Sequence, residues 1–330
     1  MHPLGPALPR LFGVLLLALA ALILGIASGS TDIAWNDLVR ALTTGETSTH
    51  SAVVLEVRFP RVMTAFFVGA LLAIAGTLLQ VLVRNPLADP YVTGTAGGAA
   101  AAFLFAAMLN VPASLHPLAA FAGALVSTAG VGWLARLGSH SDTTRLLLIG
   151  IMFAAGWGAV IALALSVAPA TQLPGLLFWL LGDLNASDGW PIAAITCVLG
   201  LSVALAAGRP LNLLAFGATR ASALGVSVHA VQALTFLLAA LLTAVAVSLA
   251  GPIGFVGLVA PHLVRRTVSP DHRVLLPGSA LAGGALLVLA DTLARTVATP
   301  VQLPAGVLTA LIGVPLFVAL LTSEGRRHAG

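Results

Sequence analysis

The chain is 330 residues long, 59% hydrophobic and only 8% charged, with a mean hydropathy of +1.05. A water-soluble domain carries roughly 25% charged residues, so this composition excludes a soluble globular protein. The formal net charge of +4 rests on fifteen basic residues; all are arginines spread thinly over connecting segments, which excludes a nucleic-acid-binding patch.

Crossing a hydrocarbon core of roughly 30 Å takes about 20 apolar residues. Ten segments qualify as candidate spans: 11–29, 62–83, 92–110, 117–137, 145–168, 191–207, 231–250, 252–264, 274–293 and 305–321. The eighth is too short to cross alone unless the preceding Gly-Pro-Ile-Gly-Phe turn also lies in the membrane. The fold class expected is all-α, a polytopic bundle of about ten transmembrane helices forming one domain over 1–330. The first span follows Arg10 and precedes Ala-Ser-Gly-Ser, faintly like a secretory signal, but its apolar core is long for one and reads as a retained span. Residues 30–57, rich in Thr, Ser, Asp and Glu, read as an outer loop. The second span ends at Asn85-Pro86 and Asp89-Pro90, because each proline forces its predecessor into extended or turn geometry. In 169–190 the apolar run Leu176 to Leu181 is too short to span, which predicts a short helix at the outer mouth around Phe178, Trp179 and Asp183. Cys197, alone of its kind, reads as a small apolar filler. Residues 208–230 form the third polar stretch.

Placing the amino terminus in the cytoplasm puts eleven arginines inside (10, 84, 136, 145, 209, 220, 265, 266, 273, 326 and 327) and four outside (40, 58, 61 and 295). That asymmetry follows the positive-inside rule, and the reverse orientation violates it.

No lysine occurs, so no phosphate-binding GxxxxGK[ST] loop exists in this chain, and HExxH and GxSxG are absent as well. An enzyme is not expected, no residue reads as catalytic, and neither a cofactor nor a metal site is indicated. Asp291 near the end of an apolar span would suit a proton-coupled transporter; Arg295 one turn later suits a structural ion pair in the favourable order. Gln80 reads as a hydrogen-bonding group to a neighbouring helix, and His262 as a packed histidine.

Four strings, GPIGFVGLVAPHLVRR (251–266), RFPR (58–61), RNPLADP (84–90) and DTLAR (291–295), occur in order and at compatible spacing. Together they resemble the FecCD family, the membrane permeases of ABC importers for ferric siderophores, haem and vitamin B12. The resemblance implies a type II importer permease in the bacterial inner membrane. It implies a homodimer with the path between the copies, two separate ATP-binding subunits, and a periplasmic substrate-binding protein. It also implies roles for individual residues. Arg58, Arg61 and Arg295 would receive acids of the binding protein through their rigid guanidinium forks. Gly217, Ala221, Leu224 and Gly225 would sit in the ATPase groove, with Ala218 where the family usually has a glutamate. Asn85, Leu87, Thr143 and Thr144 would close the cytoplasmic end; Thr143 or Thr144 is also a plausible helix N-cap. Snorkelling arginines, a plain connector, and turn and capping duties are the respective alternatives for these three groups. A single-chain proton-coupled transporter is the alternative for the whole.

Overall fold

The computed structural model describes residues 5, 7–29, 33, 35–43, 48–136, 143–185 and 189–328, and among them every regular element is helical. In chain order these are α1 (Ala7–Ala27), α2 (Trp35–Thr43), α3 (Thr49–Ala52), α4 (Phe59–Val83), α5 (Thr95–Met108), α6 (His116–Arg136), α7 (Thr143–Val167) and α8 (Leu173–Leu180). There follow α9 (Trp190–Ala206), α10 (Gly208–Ala215), α11 (Ala218–Ala223), α12 (Val228–Ala250), α13 (Val256–Thr267), α14 (His272–Thr296) and α15 (Ala305–His328).

A helix stands at each of the ten predicted spans, but not all are long enough to cross. Six pass on length and apolarity, and α9 with α10, bent by 63° at Ala207, makes a seventh if taken as one. The fourteen residues of α5 and twelve of α13 rise only ~21 and ~18 Å at 1.5 Å per residue. The third segment is therefore shorter than expected, because Pro90–Thr93 forms a separate 3₁₀ turn and Gly94, at φ 73°, breaks the path into α5. The stretch read as an outer loop is also more ordered than expected. It contains the amphipathic α2, and α3 continues through a π-helical turn (Val53–Arg58) into α4.

The core is built around α4, which packs against α14, α12, α13, α9 and α1 and is buried along most of its length. Pro60 in its first turn has no N–H to donate back into the preceding helical stretch, and the wider π-helical turn lies where it enters. Its far end closes with Arg84 in the left-handed region (φ 53°), Arg84 N donating to Val81 O and Asn85 N to Gln80 O. That is a Schellman stop with arginine where glycine is usual. Close crossings are made by glycines: a Cβ at Gly69 would overlap the Gly283 carbonyl of α14, and one at Gly76 the Gly257 carbonyl of α13. Small residues let backbones meet in this way where lipid offers no hydrophobic drive for association. Gly98 of α5 and Gly123 of α6 repeat the arrangement. By contrast α7 presents Leu148, Ile151, Met152, Leu163 and Val167 outward.

Candidate functional site

One end of the bundle carries an arginine cluster. Pro60 and the π-helical turn set Arg58 and Arg61 one turn apart at the start of α4, and the antiparallel α14 brings Asp291 and Arg295 alongside. Asp291 is fully buried (0% exposed). Arg61 Nη2 donates to its Oδ1 at 2.8 Å and Arg61 Nε to both oxygens at 3.1 and 3.2 Å. Arg295 Nε donates to Oδ2 at 2.9 Å. Further guanidinium hydrogens are used as well. Arg61 reaches Asn185 and, at 3.3 Å, Gln302; Arg295 reaches the carbonyls of Ser28 at 3.2 Å and Gly25 at 3.1 Å. Arg58 donates to the carbonyls of Ala27 at 2.8 Å and Ile26 at 3.2 Å. These three arginines are only 3%, 8% and 6% exposed in chain order. The side chains predicted to receive a partner's acids thus lie inside the chain, clamping α1, α4 and α14 and the segments at 185 and 302. The Asp291–Arg295 pair expected from spacing is present, and Arg61, 230 residues earlier, is its third member. Two guanidiniums around one carboxylate leave the cluster net positive.

Trp179 does not project into a mouth. It stacks on Phe103 with centroids 3.8 Å apart and planes 5° from parallel, while Asp183 accepts from Asn185 N at 2.8 Å.

Deeper in, α13 carries Pro261, which has no N–H to offer the carbonyl of Gly257 four residues earlier. Gln80 Nε2 of α4 fills that place, donating to Gly257 O at 3.5 Å and Leu258 O at 3.4 Å. The hydrogen bond expected of Gln80 thus has a specific purpose, serving a carbonyl orphaned by a proline inside a packed bundle. His262 is buried with its ring edge-on to Phe317, centroids 5.9 Å apart.

The opposite end carries the predicted closing loops. Asn85 Oδ1 accepts from Leu87 N at 2.9 Å, an Asx turn that holds Leu87 outward. Asp89 caps the 3₁₀ turn by accepting from Tyr91 N at 2.9 Å. The 88–93 segment faces Leu146 and Leu147 in the first turns of α7 across a small cavity. The two predicted gate loops are therefore neighbours. Thr144 is exposed, and the Thr143 side chain lies outside the described residues.

The coupling segment is at this end too. Leu211 and Leu214 sink one face of α10 into the core, and Gly217, at φ 109°, turns the chain into α11. Ala221 on the inner face of α11 is fully buried, Leu224 is 67% exposed, and Gly225, at φ 83°, ends the helix. Phe216, 70% exposed beside Gly217, was not singled out by sequence reading; an aromatic inside an otherwise small-residue turn is the signal that marks it. Behind this surface, Asn212 on α10 donates through Nδ2 to Asp271 Oδ1 at 2.9 Å and accepts from His272 N at 2.9 Å. The His272 ring Nδ1 lies 2.6 Å from the same Asn212 oxygen. Asp271 caps α14 by accepting from Arg273 N at 3.0 Å and pairs with the Arg273 guanidinium at 2.7 Å. The Arg273 guanidinium first, and then the Asn212 amide, hold the Asp271 carboxyl well below the usual carboxylate range. Among the described residues no group of three or more His, Cys, Asp or Glu is placed to hold a metal ion.

Comparison with known proteins agrees with this architecture. The model of the FecCD transport family matches residues 16–323. A hemin transport system permease of Yersinia pestis is 39% identical, covering 99% of both chains. A cobalamin import permease of Halobacterium salinarum is 44% identical over 84% of this chain and 75% of its own length, and the Fe(3+) dicitrate permease of Escherichia coli is 40% identical over 94% and 97%. Among solved structures, a metal-chelate type ABC transporter in an inward-facing conformation superposes with a TM-score of 0.83 at 30% identity, covering 95% of this chain and 99% of that one. The chain is a multi-pass membrane permease, and it belongs to the FecCD transport family.

Proposed function

We propose that this chain is the membrane-spanning subunit of a binding-protein-dependent ABC importer for a metal chelate or tetrapyrrole, a ferric siderophore, haem or cobalamin. The permeases it resembles are named for hemin, cobalamin and ferric dicitrate. In this reading two copies form the path, and two ATPase subunits bind the end that carries α11. That end holds most of the arginines and faces the cytoplasm of a bacterial inner membrane. No chemistry occurs in the chain itself.

The observation that carries the proposal is the exposed apolar pair Phe216 and Leu224, held on a rigid turn by Gly217, buried Ala221 and Gly225. A chain without a phosphate loop needs fuel from elsewhere, and this is a built, water-facing apolar contact for its supplier. Asn85, Leu87, Thr143 and Thr144 are assigned to the closure of the path beside it. At the far end the binding protein docks over the cluster of Arg58, Arg61 and Arg295. Their guanidiniums act there from beneath the surface, as a net positive field and as a brace for the segments around Asn185 and Gln302. Asp291, the acid on which the proton-coupled alternative rested, is buried and held between two arginines.

Uptake into proteoliposomes decides the proposal. Radiolabelled cobalamin, haemin and ferric dicitrate are offered with and without internal ATP, and with the proton gradient collapsed. Uptake that needs ATP and survives collapse of the gradient supports the importer. Uptake by the chain alone, without nucleotide, refutes it. Phe216→Asp with Leu224→Asp should abolish co-purification of the ATPase while leaving the permease folded.

A further inference from the structure

Asn212 is not part of the exposed contact surface. It points the other way, and its side chain uses donor and acceptor alike on the first residues of α14, joining α10 to Asp271 and His272. At the other end of the same helix, twenty residues and ~30 Å on, Asp291 and Arg295 are locked to Arg61, Gly25 and Ser28. Between these points α14 lies flush on α4 through Gly283, Gly284 and Leu287, with backbone against backbone at Gly69. Pro277 lies in the second turn of α14; beyond it the helix is held along α4 and at its far end, so it passes displacement on instead of absorbing it.

We infer that α14 is the strut linking the ATPase-facing segment to the arginine cluster at the other face, and that the Asn212–Asp271 bracket is the joint through which α10 drives it. Asn212 and Asp271 are positioning residues: they touch neither cargo nor nucleotide. Motion imposed on Phe216 and Leu224 reaches α10 through the turn at Gly217. Leu211 and Leu214 anchor α10 in the core as a fulcrum, and Asn212 hands the displacement to the capped end of α14. Cutting the joint separates fuel consumption from cargo movement. This inference rests on the importer reading above.

The test uses the complete complex of permease, ATPase and binding protein in proteoliposomes, with labelled cobalamin, haemin or ferric dicitrate, whichever the parent takes up. The readout is cargo moved per ATP hydrolysed. Asn212→Ala is expected to keep hydrolysing ATP while cargo per ATP falls about fivefold or more, the lower end of typical coupling between sites. The reciprocal swap, Asn212→Asp with Asp271→Asn, rebuilds the hydrogen bond with its polarity reversed and should restore the ratio. A merely structural role would lower expression or both rates in proportion, and that result, or an unchanged ratio, overturns the inference. If Asn212→Ala fails to fold, a cross-link decides. Asn212→Cys with Asp271→Cys, in a Cys197→Ser background, should transport at the parental ratio when oxidised, because the joint stays closed through the cycle. Arrest on oxidation with recovery on reduction overturns the strut. Absence of ATP-dependent uptake by the parent complex refutes the importer reading itself and the strut with it.

Discussion

Replacing Asp291 by asparagine removes one charge from the arginine cluster and almost no volume. The parent carboxylate receives four hydrogen bonds of 2.8 to 3.2 Å from two guanidiniums while fully buried. Breaking a buried ion pair from one side typically costs 3–5 kcal/mol, because the surviving charge stays desolvated. Here two charges survive, but both retain acceptors: Arg61 keeps Asn185 and Gln302, and Arg295 keeps two backbone carbonyls. The retained contacts hold the cost near that range instead of doubling it. With an unfolding entropy of ~2.1 cal/mol/K per residue across 330 residues, Asp291→Asn should lower the melting temperature by about 4–7 °C in detergent, read by intrinsic fluorescence. Exchanging all three charges for apolar residues, Arg61→Met, Asp291→Leu and Arg295→Met, should recover at least half of the loss, since a matched apolar core often equals a buried network. A shift below about 1 °C for Asp291→Asn, or a triple variant less stable than the single one, would refute the view that charge balance holds this end together.

Gly76→Ala should cut folded yield sharply, because the new Cβ meets a carbonyl of α13 that has no side-chain freedom to yield; size-exclusion chromatography reads this, and a parental profile contradicts it. Gln80→Leu should destabilise by about 1 kcal/mol or somewhat more, the cost of an unmet carbonyl. Adding Pro261→Ala should suppress the effect by giving Gly257 O its own helical donor; additive losses would show that Gln80 does something else. Asp271 titrates below its unfolded value, near 3.9, so its stabilisation is complete above that pH and lost as pH falls through the lower folded value. Melting temperature should therefore drop below about pH 4 more steeply in the parent than in Asp271→Asn; parallel curves would exclude the carboxylate as the cause.

Much of the helical layout was legible because proline and glycine mark its breaks: Pro60 opens α4, Asn85-Pro86 closes it, and Gly251-Pro252 separates α12 from the short α13. The amphipathic α2 was missed because its polar residues read as loop, although Asp37 in its first turn and Arg40 in its last are charges suited to the helix dipole. At the arginine cluster only the Asp291–Arg295 pair was readable, since four residues is one helical turn. Arg61 joins from 230 positions away, and no local pattern encodes that. The same holds for Asn212, whose partners at 271 and 272 belong to another helix, and for the burial of Arg58, which depends on carbonyls at the end of α1. Arginines near a predicted membrane surface are expected to face water; here unspent backbone acceptors and a buried acid draw them inward.

The carbonyl-to-glycine contacts of α4 have a consequence for motion. Sliding α13 along α4 would set the Gly257 oxygen against the next residues on the same face, Leu72 or Gln80, and a like shift of α14 would drive its backbone into Ala65 or Ala73. Such an interlock tolerates no gradual creep: it is engaged in one register or pulled apart altogether. Paired probes placed across these three helices should then report one unchanging separation through every stage of a cycle, because any displacement of α14 carries α4 and α13 with it.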